Sequence, residues 1–209
     1  MKKVILIVCL LIAVIALGYR IKITETALAD GIIRLHVVAN SDDDKDQQLK
    51  LKVRDKILEK TKQKYGNYGS AEDVRINLNT DIEYIKQIAK DVILQNGYNY
   101  DVNVVLGKSY FPRKSYGNIT LPEGEYNALK VQIGKAEGKN WWCVLFPPLC
   151  FVDEACVKVD SKSDIYMQNA LDETTYNLVS EGVEFKLKSY ELWQNGKQFF
   201  DNVIQYLKN

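Results

Sequence analysis

The chain has 209 residues, 46% of them apolar, with 28 bases against 27 acids. That is enough material for one ordinary hydrophobic core. A near-neutral balance without a block of basic residues lacks the electrostatic footprint of sequence-independent nucleic-acid binding, so nucleic acid is excluded as the main partner.

Lys2 and Lys3 precede an uncharged run from Val4 to Tyr19 that closes at Arg20, the pattern of an export signal. A transmembrane helix wants about 20 apolar residues and a signal-peptide core only about 7 to 15, which favours a signal peptide over an anchor. Ala27, Leu28 and Ala29 have the small-residue spacing of a cleavage site but stand well beyond the apolar core, so cleavage stays open. The two lysines hold the N-terminus in the cytoplasm and send the remainder outward. Residues 1–29 are thus expected to be a signal peptide or N-terminal membrane anchor, and 30–209 a single extracytoplasmic domain. The first 29 residues hold Lys2, Lys3, Arg20 and Lys22 but only Glu25 among acids, leaving 24 bases against 26 acids in the body.

Ile33, Leu35, Val37 and Ala39 alternate with Arg34, His36, Val38 and Asn40, predicting a half-buried strand over 32–39. Ser41 and Asp44 make a capping box before a helix whose stripe is Leu49, Val53, Ile57 and Leu58. It should stop at a left-handed Gly66. Thr80 and Glu83 form a second box, ahead of Ile82, Ile85, Ala89, Val92 and Ile93 on one helical face, with a short helix over 70–78 before it. Asn96 and Gly97 end the second long helix. From Tyr98 the character turns to strands, marked by Val102, Val104 and Leu106, then Tyr126, Ala128, Lys130 and Gln132, then Trp142, Val144 and Phe146. The glycine-containing loop 134–139 joins the last two as a β-hairpin. Pro147 and Pro148 end the final strand. The fold class expected is α+β, one antiparallel sheet packed by helices. Residues 153–182 read as a polar surface excursion holding a short helix near 172–179, and 183–209 as a C-terminal amphipathic segment.

Candidate chemistry is sparse. Asp42, Asp44 and Asp46 suit a calcium loop, but Gln47 replaces its glycine and Val53 its bidentate glutamate, so these acids read as helix N-terminal charges. His36 is the only histidine; with Ser41 nearby it suggests a hydrolase triad, yet no Gly-x-Ser-x-Gly elbow surrounds any serine. Cys9 lies in the apolar run. Cys143, Cys150 and Cys156 are an odd, unpaired set that fits neither structural zinc nor a disulfide framework. A Cys143–Cys150 bridge is one option, the double proline turning the chain back, and free buried thiols are the default. No cofactor or metal motif is present. Gly138 to Phe151 (GKNWWCVLFPPLCF) packs two tryptophans, two phenylalanines, two prolines and two cysteines into one segment. Alternation puts Trp141, Cys143 and Leu145 on one face and Trp142, Val144 and Phe146 on the other, more aromatic surface than a solvated strand carries.

Four blocks in matching order, IIRLHVVANSDDDKDQQLKLKVRD (32–55), FPRKSYG (111–117), LPEGEYNALKV (121–131) and GKNWWCVLFPPLCFVD (138–153), resemble the hallmark segments of the stage II sporulation protein R family. The resemblance implies a protein made in the forespore and exported into the intermembrane space of a developing endospore. There it would activate a membrane-embedded aspartic protease of the mother cell, which cleaves the pro-form of sigma factor E. The chain would then be no enzyme, and no catalytic residue carries over. The contact surface expected is His36, Asn40, Arg113, Lys114 and Tyr116 beside Trp141, Trp142 and Phe146, since aromatics and arginine anchor interfaces. The alternative is an exported hydrolase of peptidoglycan or peptide with His36 or a carboxylate as general base.

Overall fold

The computed structural model describes residues 2–66, 68–150, 159 and 161–180. Its elements in chain order are α1 (Lys2–Gly31), β1 (Ile33–Val38), α2 (Asp44–Tyr65), α3 (Ala71–Thr80), α4 (Ile82–Gln95), β2 (Val102–Phe111), β3 (Lys114–Tyr116), β4 (Ile119–Leu121), β5 (Gly124–Ile133), β6 (Asn140–Phe146), α5 (Ser161–Ala170) and α6 (Glu173–Ser180).

Helices and a four-stranded sheet of order β2-β5-β1-β6 give the expected α+β class, but the sheet is mixed rather than antiparallel. β1 runs parallel to β5 and antiparallel to β6, while β2 and β5 are antiparallel. The hairpin expected between β5 and β6 is therefore split, with β1 lying between its arms. The reason lies in β1 itself: five of its six residues are buried, Arg34 among them, and a strand buried on both faces belongs in the middle of a sheet rather than at its edge. The 134–139 loop arches over the end of β1, where Gly138 N donates to Ala39 O (3.0 Å) and Glu137 N to Asn40 O (3.2 Å). Two glycines permit that close approach. A Cβ on Gly138 would stand 2.1 Å from Ser41 O, and Gly134, at φ +57°, would meet Asn40 Oδ1 at 2.2 Å.

The core extends to both sheet faces, and α2 and α4 cover one of them. Leu49, Val53 and Ile57 of α2 and Ile85, Ala89 and Ile93 of α4 are buried with Leu35, Val37, Val104, Leu129 and Val131, α2 lying on β1 and α4 on β2. Both capping boxes fail. Asp43 and Asp81 take the N-cap positions of α2 and α4 without a side-chain cap bond, and Thr80 is the last residue of α3. Ser41 is drawn away because its hydroxyl donates to Asp46 Oδ2 (2.7 Å). Ser70 does cap a helix, accepting from Asp73 N at 3.1 Å, which is why α3 forms. Gly66 ends α2 in a right-handed conformation, not the left-handed one expected, whereas Gly97 after α4 has φ +83°.

The stretch from 161 is more than a surface excursion. α6 matches the expected short helix, but Met167, Leu171 and Val179 are buried in the common core. Tyr166 donates to Gly66 O at the end of α2 (2.8 Å). Cys156 and the C-terminal segment 183–209 lie outside the described residues. α1 is one continuous helix whose last residues reach the core, Leu28 and Ala29 being buried. Among the described residues no helix is long and apolar enough to cross a membrane.

Candidate functional site

The sheet face opposite α2 and α4 carries Arg34 and His36 of β1, with Trp142 of β6 and Lys130 of β5 in register beside His36. His36 is half-buried. Its Nε2 lies 2.7 Å from Asn140 Oδ1, and its ring stacks on Trp142 (centroids 5.9 Å, 28°) and meets the edge of Phe111 (5.9 Å, 66°). Its Nδ1 is buried without a hydrogen-bond partner. Burial pulls its pKa below the ordinary value, the Asn140 contact opposing and the Lys130 charge assisting. No nucleophile or carboxylate is bonded to either ring nitrogen among the described residues. Ser41, the triad partner considered, is occupied by Asp46 and by Asp43 N (3.2 Å).

This environment carries a pH signature. The unfolded chain takes up a proton near pH 6.5 while the folded ring resists it, so stability falls as pH drops from 7.5 towards 5. Urea melts across that range should show the fall, and His36→Gln should remove its histidine component. An unchanged profile in the variant would contradict the half-buried, neutral ring.

Behind His36 sits a residue that alternation alone placed on the polar side of the strand. Arg34 is 0% exposed. Its guanidinium carbon lies 4.4 Å from the Phe111 ring centre, 5.0 Å from Tyr126 and 5.9 Å from Tyr116. Nε donates to Cys143 O (3.1 Å) and Nη2 to the Tyr116 hydroxyl (3.3 Å), while Nη1 is buried and unpartnered. Burial lowers the arginine pKa against the pull of Tyr116 and Tyr126. The available signal was slight: an arginine between Ile33 and Leu35 in a short, otherwise largely apolar strand.

The eight expected contact residues do not share one surface. His36 and Trp142 are neighbours. Tyr116 is buried beside Arg34, whose Nη2 donates to its hydroxyl, and Phe146 is buried in the core. Trp141 points to the other face, where the Arg54 guanidinium lies 4.1 Å over its ring. Asn40 is committed to the fold, donating to Asp46 Oδ2 (2.7 Å) and accepting from Lys135 N (3.0 Å). Arg113 is exposed and Lys114 half-buried, both at the mouth of the β3–β4 hairpin.

Cys143 and Cys150 form a disulfide with Cα atoms 4.9 Å apart. It pins the segment after β6 beside an apolar pocket lined by Leu58, Tyr65, Val74, Leu145, Phe146 and Pro148. Replacing both cysteines by serine should cost about 2 to 3 kcal/mol by loop-closure entropy, read as a lower urea midpoint. Alkylation of both thiols in unreduced, denatured protein would contradict the bridge. Among the described residues no cluster of His, Cys, Asp and Glu is suited to a metal ion.

Comparison with known proteins places this geometry in context. A family model described as Stage II sporulation protein R matches residues 29–156. Stage II sporulation protein R of Bacillus subtilis (strain 168) is 43% identical over 126 residues, which cover 60% of this chain and 56% of that protein. The match thus spans little more than half of the relative's length. No solved structure matches the chain.

Proposed function

Since the chain belongs to the stage II sporulation protein R family of sporulation proteins, we propose that it is an exported signal that switches on a membrane-embedded aspartic protease. It leaves the forespore and acts in the intermembrane space, and the protease of the mother cell then cleaves the pro-form of sigma factor E. On this reading the protein contributes binding energy and no chemistry of its own. The observation that carries it is the setting of the single histidine, held by an amide, stacked on Trp142 and edge-on to Phe111 rather than poised beside a nucleophile. Imidazole and indole presented together on a sheet face make an interface anchor, because aromatic groups bury large areas at low entropic cost.

The test is the protease and its pro-sigma substrate reconstituted together in vesicles, with the full chain presented to the outer face. Trp142→Ala should lower substrate cleavage about tenfold or more, the effect of truncating one interface anchor, while shifting the urea midpoint far less than a core truncation does. Undiminished cleavage by this variant would remove the sheet face from the contact.

A further inference from the structure

The C-terminal turns of α1 are built into the domain. Leu28 is 2% exposed and Ala29 8%. Asn127 Nδ2 of β5 donates to Ala29 O at 3.2 Å. A Cβ on Gly31 would stand 2.6 Å from Leu171 Cδ2 and 2.7 Å from Ala170 O, so the helix end is pressed against the junction of α5 and α6. Earlier in α1, Ile23 and Ala27 share a cleft with Asp172 and Thr175 of the α6 start. A peptidase needs an extended, accessible substrate, and Ala27–Leu28–Ala29 offers a helical turn with two of its three side chains buried.

Towards the opposite end of the same helix the described side chains are mostly exposed, with Ala16 and Tyr19 still lining that cleft. Val4, Val8, Ile12, Val14, Ile15 and Tyr19 are exposed large hydrophobic residues, in a run without a charge from residue 4 to 19. A helix exposed and apolar along its length belongs in a bilayer or a large core. The run rises about 24 Å, less than the ~30 Å of hydrocarbon in a typical bilayer. Local thinning and the snorkelling of flanking cations accommodate such a mismatch, and Lys2, Lys3 and Arg20 flank this run.

We propose that α1 is retained whole, so that the Ala27–Leu28–Ala29 turn is a packed part of the domain and not a processing site, and that lipid covers the apolar half of the helix. The domain is then an anchored ligand, held within about 12 Å of the bilayer by the helical residues 20–27. The proposal relies on the export reading only for the side of the membrane on which the domain lies.

The test follows the N-terminus and leaves protease activation aside, so its failure and that of the activator reading are separable. The full chain, tagged at its C-terminus, is produced in a Gram-positive host, and its membranes are washed in alkaline carbonate before intact mass is measured. Expected are a mass that includes residues 1–29 and a protein resistant to the wash. Leu28→Ala should in addition lower its melting temperature by about 5 to 15 °C. A mature chain beginning at Asp30, for which the Leu28 substitution would be silent, overturns the proposal. Cleavage further upstream that frees the domain into the wash overturns it equally.

Discussion

Asp46→Ala is expected to destabilise the domain by about 3 to 5 kcal/mol, the cost of breaking a buried charged network and orphaning its donors. Asp46 is 5% exposed. One carboxylate oxygen, Oδ2, accepts from Asn40 Nδ2 and Ser41 Oγ, both at 2.7 Å. Burial pushes its pKa up, but hydrogen bonds from Asn40, Ser41 and Tyr100 outweigh that and hold it below the usual carboxylate value. Through Asn40, which also accepts from Lys135 N, the network ties the β1–α2 loop to the β5–β6 loop. The folded pKa is depressed, so this stabilisation is present above the unfolded aspartate pKa of about 3.9 and is lost as pH falls further. Urea denaturation at pH 7 measures it, with Asp46→Asn expected between wild type and alanine. A loss below 1 kcal/mol would show that the loops are held by other means.

The second large effect is a contrast at Arg34. Arg34→Ala should cost about 3 to 5 kcal/mol, because it opens a cavity between Phe111 and Tyr126 and removes the donors to Cys143 O and the Tyr116 hydroxyl. Arg34→Met should be within about 1 kcal/mol of wild type or more stable, since a thioether fills the aromatic box without burying an uncompensated charge. The ground for the contrast is the unpartnered Nη1 of a fully buried guanidinium. A methionine variant as unstable as the alanine one would mean that the charge itself holds the site.

Helices and strands were largely legible because their apolar periods are long and regular, as with Ile85, Ala89, Val92 and Ile93 on α4. Which strand neighbours which was less so. The loop 134–139 has the composition of a tight connection, and nothing in residues 126–146 announces that β1 inserts between the strands it joins. What places β1 centrally is its burial on both faces, Arg34 included, and the sequence hides that because Arg34 and His36 give its second face a polar pattern. Capping failed for a related reason: Ser41 has a cap's spacing, but a buried carboxylate five residues on offers its hydroxyl a stronger charge-assisted bond. The candidate site was half legible. Alternation put Trp141 and Trp142 on opposite faces, as found, yet it assigned Arg34 to the polar side because it cannot see three aromatic rings arriving from Phe111, Tyr116 and Tyr126. Asn40 looked like a contact residue for want of any sequence signal linking it to Asp46 and Lys135.

The central claim, activation by binding, is tested most directly by titration. With the protease in vesicles and its pro-sigma substrate supplied, the full chain is added in increasing amounts and initial cleavage is measured. The account predicts cleavage that rises with the added chain, saturates near equivalence with the protease, and stops when the chain is removed. Turnover of wall fragments or peptides by the purified chain without the protease, abolished by His36→Ala in a protein that remains folded, would contradict it.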